Sequence, residues 1–151
     1  MKRHPSLTPL SREHHSALIL ARSLQKDTPA YKGMSSDTEG KAKAALAFYE
    51  EEIIQHFEEE EKILELIKGI NPMIDLLAET ILHDHEELHA SFQAINNSQD
   101  IKTHLDELGK ALETHIRTEE RQLFPLIQEA CNEEMMAVID KSLSSGKPKN
   151  S

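Results

Sequence analysis

Leu46, Tyr49, Ile53, His56, Glu60, Ile63 and Ile67 advance in alternating steps of three and four residues. That is the inward stripe of a helix in a bundle, yet its two middle positions hold a histidine and a carboxylate. Burying an ionised carboxylate costs several kcal/mol unless a cation or hydrogen-bond partners compensate. The same interruption occurs in a second stripe: Ile101, Leu105, Leu108, Leu112, His115, Glu119, Leu123 and Leu126. Two further apolar faces carry histidines as well: Leu10, His14, Leu18 and Ala21, then Ile74, Leu77, Ile81, His85, Leu88, His89 and Phe92. A plain core would use leucine at these positions. One such replacement is ordinary; four, one per helix, point to polar groups meeting inside the bundle.

The helices themselves are well punctuated. Thr8-Pro9 supplies a cap and a first-turn proline, and helical spacing then continues to Leu24. Pro29, Gly33, Ser35, Ser36 and Gly40 mark a loop, with a second helix from about Asp37 to Lys68-Gly69. Asn71-Pro72 opens a third, running to about Ile95. A fourth runs from Asp100 to a kink or stop near Pro125, and a short fifth from Asn132 to about Ser142. Short connections make neighbours antiparallel, so the expected fold is an all-α, up-down four-helix bundle over residues 1–143, with a frayed tail at 144–151. Aromatic residues make only 4% of the chain, and no stretch alternates at period two, which argues against a sheet.

Charge and cysteine use narrow the function classes. A net charge of −10 disfavours nucleic-acid and anionic-membrane surfaces. The single Cys131 excludes an internal disulfide and thiolate-rich zinc modules. Met1 to Leu10 has basic residues without an apolar run behind them, and no stretch has the ~18 apolar residues of a membrane span, so the chain reads as cytoplasmic.

The candidate metal set is His14, His56, Glu60, His85, His89, His115 and Glu119. Residues four apart project from one helix face a turn apart, so each pair can address one ion or two adjacent ions. Five imidazoles and two carboxylates exceed what one tetrahedral zinc uses and suit two octahedral-leaning ions of iron, manganese or zinc rather than calcium. The halves repeat: Glu13-His14 followed by His56-x-x-x-Glu60-Glu61 is echoed by Asp84-His85 followed by His115-x-x-x-Glu119-Glu120. The acid before each of His14 and His85 is a candidate to orient that ring. Height supports the grouping, because His56 lies 13 residues before Gly69 and His85 lies 13 after Pro72. His89 and His115 match less well across the next turn.

From about Leu10 to Pro125 the sequence resembles the hemerythrin-like, or HHE cation-binding, family. The likeness rests on Glu13-His14, His56-x-x-x-Glu60, His85-x-x-x-His89 and His115-x-x-x-Glu119 followed by Leu123-Phe124-Pro125. The resemblance implies a non-haem di-iron centre of the Fe-O-Fe type bridged by Glu60 and Glu119. His85, His89 and His115 would hold one iron and His14 and His56 the other, whose open position would take dioxygen. Oxygen-carrying members have an aspartate five residues after the last histidine, which would point to Glu120; the spacing to Glu119 looks more like bacterial and regulatory relatives. Leu10, Ile53, Ile81 and Leu112 are the expected apolar wall. His4, His15, His83 and His104 are assigned to surface or packing, with His15 the alternative to His14.

The function expected is binding of dioxygen or another diatomic for carriage, storage or sensing, rather than catalysis. The alternative is a redox enzyme acting on peroxide or nitrogen oxides, or in iron–sulfur repair, which would need a redox partner. His85-Glu86-Glu87-Leu88-His89 also matches the zinc-peptidase signature, although a charged Glu87 inside the motif and the absence of a sheet edge count against it.

Overall fold

The computed structural model describes residues 2–26, 28 and 37–146. Its helices are α1 (Thr8–Ser23), α2 (Thr38–Phe48), α3 (Ile54–Leu66), α4 (Pro72–Gln93), α5 (Ile101–Thr118), α6 (Phe124–Ala130) and α7 (Glu133–Gly146). No strand occurs among the described residues. A π turn, Tyr49–Ile53, joins α2 to α3, and another, Glu119–Leu123, joins α5 to α6, so each pair forms one continuous rod. The rods and helices α1 and α4 make the all-α bundle, and α7 packs along α3. Most of the loop expected at 27–40, and residues 147–151 of the expected tail, lie outside the described residues.

Side-chain caps set most helix starts. Asp37 accepts from the Gly40 N–H at 2.6 Å, Asp100 from Thr103 at 3.1 Å and Asn132 from Met135 at 2.9 Å. Asn71 accepts from both Met73 and Ile74, with Pro72 at the first helical position. Gly69, at φ 87°, ends the α3 rod in the left-handed conformation that glycine adopts without strain. Helix α1 differs from expectation: Leu7 occupies the cap position, and the Thr8 hydroxyl donates backwards to the His4 carbonyl. Near Pro125 the helix neither stops nor breaks. Proline cannot donate to the carbonyl four residues earlier and its ring crowds that group; the wider turn Glu119–Leu123 lies just before it and carries the chain into α6.

The buried apolar residues fall into two clusters. One includes Ala17, Ala21, Ile53, Phe57, Phe92, Leu105 and Leu112. The other includes Leu7, Leu10, Ile63, Ile81, Phe124, Ile127 and Ile139. Within the rods, the polar positions of the stripes fall between them: Ile53 and Ile63 on α3 and its π turn flank His56 and Glu60, and Leu112 and Leu123 flank His115 and Glu119. Where α1 crosses α5 the helices touch at Gly109. A Cβ there would run into the Ala21 carbonyl oxygen, with Gln25 Cγ at 3.0 Å and Leu24 Cβ at 3.2 Å. Alanine favours a helix over glycine by about 1 kcal/mol, but overpacking costs about 1–3 kcal/mol. Gly109→Ala is therefore expected to lower the urea midpoint without changing its slope, because the neighbour that must yield is backbone. Among the described residues no helix is long and apolar enough to cross a membrane.

Candidate metal centre

Six of the seven expected side chains converge in the polar layer. His14 of α1, His56 and Glu60 of α3, His85 of α4, His115 of α5 and Glu119 of the second π turn are all 5% exposed or less. Glu60 divides its oxygens: Oε2 lies 3.1 Å from His14 Nε2 and 3.0 Å from His56 Nε2, while Oε1 lies 3.1 Å from His85 Nε2. Glu119 Oε1 stands 3.0 Å from His115 Nε2 and 3.2 Å from His14 Nε2. Two four-residue groups result, His14–His56–Glu60–Glu119 and Glu60–His85–His115–Glu119, each with donor atoms within 4.8 Å of one another. They share both carboxylates.

Every one of the four rings is gripped from outside by a second carboxylate. His14 Nδ1–H donates to Glu120 at 2.6 Å, His56 to Glu13 at 2.7 Å, His85 to Glu61 at 2.7 Å and His115 to Asp84 at 3.1 Å. An ionised carboxylate only accepts, so each ring carries a proton on Nδ1, and the inward Nε2 is the atom left to meet an inner carboxylate or, once its own proton is displaced, a cation. The four contacts form a closed ring: α1 holds α3, α3 holds α4, α4 holds α5, and the turn after α5 holds α1. The acids preceding His14 and His85 thus orient His56 and His115 rather than their chain neighbours, because adjacent helical residues point about 100° apart. The repeat between the halves is a pseudo-twofold relation of this ring.

Charge explains what the inner atoms do without a cation. Burial alone would lower the His56 pKa, but the Glu60 charge close to Nε2 and the hydrogen bond to Glu13 outweigh it and raise the pKa to about 9. For His115 burial is likewise outweighed, by the Glu119 charge close to Nε2 and the hydrogen bond to Asp84, and the pKa reaches about 10. His14 is raised well above its usual value by Glu119, Glu120 and Glu60 acting against its burial. Burial would push Glu60 up, yet the His56 charge and three imidazole contacts hold it well below the carboxylate range. Even so, His56 Nε2, His115 Nε2 and both Glu119 oxygens are buried without a directed hydrogen bond. They stand close enough to attract one another but aim past each other into the layer. Nitrogen and carboxylate donors arranged in this way fit a cation.

The remaining candidates sort cleanly. His89 stands apart from both groups: its Nδ1 is 2.6 Å from the Tyr49 hydroxyl. Spacing puts His89 on the face of His85, but the Phe57 ring sits against both, stacked on His85 at 3.9 Å and edge-on to His89 at 5.2 Å. Each of the two groups thus contains two histidines, and His89 belongs to neither. The same Phe57 ring packs against both histidines of the peptidase-like motif, whose Glu86 and Glu87 are exposed. His15 is exposed, His83 is exposed beside Glu87, His4 meets Glu133 and His104 meets the Ser91 carbonyl. Glu120 is an outer carboxylate. Leu10, Ile53, Ile81 and Leu112 are buried as expected. The covering role of two aromatic rings carried no advance signal, although Phe124 belongs to the motif Leu123-Phe124-Pro125. Phe57 lies over His85, and Phe124 stacks on His14 at 5.4 Å with the Arg3 guanidinium 5.3 Å from the Phe124 ring centre.

The family model described as Hemerythrin HHE cation binding domain matches residues 6–127 of the chain. No curated protein and no solved structure matches it.

Proposed function

The chain belongs to the hemerythrin HHE cation-binding domain family, and from that premise we propose that its polar layer holds two iron ions and binds dioxygen or a similar diatomic for carriage, storage or sensing. The observation that carries the reading is the division of the Glu60 oxygens, one toward His14 and His56 and the other toward His85. His14 and His56 would hold one ion, His85 and His115 the other, with Glu60 and Glu119 common to both. Charge favours two divalent ions: the layer sets two inner and four outer carboxylates around four imidazoles, and two such ions offset four of the six negative charges.

Bound iron would supply reversible one-electron chemistry and coordination positions for a small ligand. The residues do the rest. Each group offers four donors where an octahedral-leaning ion takes about six. Glu13, Glu61, Asp84 and Glu120 fix the ring orientations and keep Nε2 free of protons once a cation competes for it. Ile53 and Leu112 on one side, Leu10 and Ile81 on the other, keep the layer between apolar walls.

The test is anaerobic loading with ferrous ion followed by air, recording metal content and absorbance. Two irons per chain and an oxygen-dependent band that reverses on deoxygenation are expected. Irreversible oxidation with peroxide turnover would move the reading to a redox enzyme. Selective retention of zinc or manganese would overturn iron.

A further inference from the structure

Two surface clefts reach in to a buried histidine of the polar layer, and they are related by the pseudo-twofold. One, about 110 Å³, is lined by Glu13, Ser16, Glu52 and His56. The other, about 490 Å³, lies between α4 and α5 and is lined by Asp84, Glu87, Glu107, Ala111, Thr114 and His115. Glu13 and His56 of the first correspond to Asp84 and His115 of the second. The repeat has kept the dyad on both sides and opened the approach on one.

We propose that the wide α4–α5 groove is the path by which divalent cations reach the buried layer, with Asp84 and His115 as its inner threshold. This rests on the layer being a metal centre. The groove suits a cation because three carboxylates line it, and the ammonium of Lys110 beside them is already engaged by Asp106 at 3.0 Å. His115 links groove and layer: its Nδ1 faces Asp84, on the groove wall, and its Nε2 faces Glu119. The Asp84 contact, at 3.1 Å, is the longest of the four outer grips, against 2.6–2.7 Å elsewhere. The ring that must move to admit an ion is thus the one with the longest outer contact.

The other corners are less open to a cation. At His14, Phe124 covers the ring, and Arg3 places positive charge on Glu120 at 3.2 Å. At His85, Phe57 covers the ring, and the sizeable groove at Glu61 stops at that carboxylate without reaching the histidine. At His56 the cleft is narrow. Ions arriving at Asp84 enter the half held by His85 and His115 first and reach the other half through the shared carboxylates.

Stopped-flow uptake of cobalt(II) by the full metal-free chain, followed by its visible absorption, tests the path. Ala111 is exposed on the groove wall, so Ala111→Trp narrows the groove without touching a candidate ligand. It is expected to slow uptake several-fold while leaving final stoichiometry and affinity as in the wild type. Ser16→Trp, in the narrow cleft, should leave the rate unchanged. Glu87→Gln with Glu107→Gln should slow uptake at low ionic strength, with the difference shrinking as salt is added. Wild-type rates in both the Ala111→Trp and the double variant, or slowing by Ser16→Trp instead, would overturn the path while leaving the metal centre intact. Failure of the wild-type chain to take up any metal would remove the centre and the path together.

Discussion

Glu60→Gln is expected to abolish retention of metal in both halves of the layer. The substitution keeps the shape of the side chain and removes the charge, and the oxygens it alters face His14, His56 and His85. No other residue belongs to both groups and contacts three of the four rings. An amide is a poor ligand beside a carboxylate, so the variant should hold little metal after gel filtration where the wild type holds two ions. Ligand linkage sets the stability effect: at a free metal concentration of 100 Kd a bound ion contributes about 2.7 kcal/mol. For a chain of this length 1 kcal/mol moves Tm by about 2–4 °C, so the metal-dependent rise of the wild type should exceed about 5 °C and vanish in the variant. His56→Ala offers the graded comparison. It removes a donor from one group only, so one ion per chain should survive longer under chelator than in Glu60→Gln. Two ions retained by Glu60→Gln, or an unchanged melting temperature on metal addition to the wild type, would refute the shared-carboxylate reading.

Periodicity alone makes the inner layer legible in the sequence. His14, His56, Glu60, His85, His115 and Glu119 each occupy a position that helical geometry turns inward, and the cost of burying them unpaired demands a common explanation. What periodicity does not carry is anything decided between helices. Glu13 precedes His14 and grips His56; Asp84 precedes His85 and grips His115. Both pairings depend on how the helices pack side by side. The place of His89 is also decided between helices, since its spacing from His85 suits a shared ion, but Phe57 from a neighbouring helix packs against both rings. The height mismatch between His89 and His115 is a sign of this: His85 lies 12 residues before Asn97 and His115 lies 14 after Ile101, so the level partner is His85. The turn Glu119–Leu123 has one local signal, Pro125; Tyr49–Ile53 has none.

Stability of the metal-free chain should fall steadily from about pH 6.5 to pH 10, the reverse of what metal does. His56 and His115 have pKa values of about 9 and about 10 in the folded chain against 6.5 for an unperturbed imidazole. A histidine whose pKa rises on folding lends its stability in full below the unfolded value and loses it as pH climbs through the folded one. Each tenfold gain in proton affinity on folding corresponds to about 1.4 kcal/mol, so two such residues are worth several kcal/mol across this window. On the acid side the sign reverses. Glu60, Asp84 and Glu120 are all lowered by folding, so their contribution is present above the ordinary carboxylate range and is lost as pH falls through their lowered values. Urea midpoints of chelator-treated protein at constant ionic strength should therefore peak between about pH 5 and pH 6.5. Metal must displace the same protons from Nε2, so its stabilising effect should grow as pH rises from about 5 to about 7, and binding should release protons into a weakly buffered solution. Glu60→Gln removes a charge that raises both His56 and His115, and should flatten the alkaline decline. An alkaline limb that is level in the wild type, or as steep in Glu60→Gln as in the wild type, would mean that the inner carboxylates do not hold the imidazoles charged, and that the metal-free layer is not balanced by protons that a cation must displace.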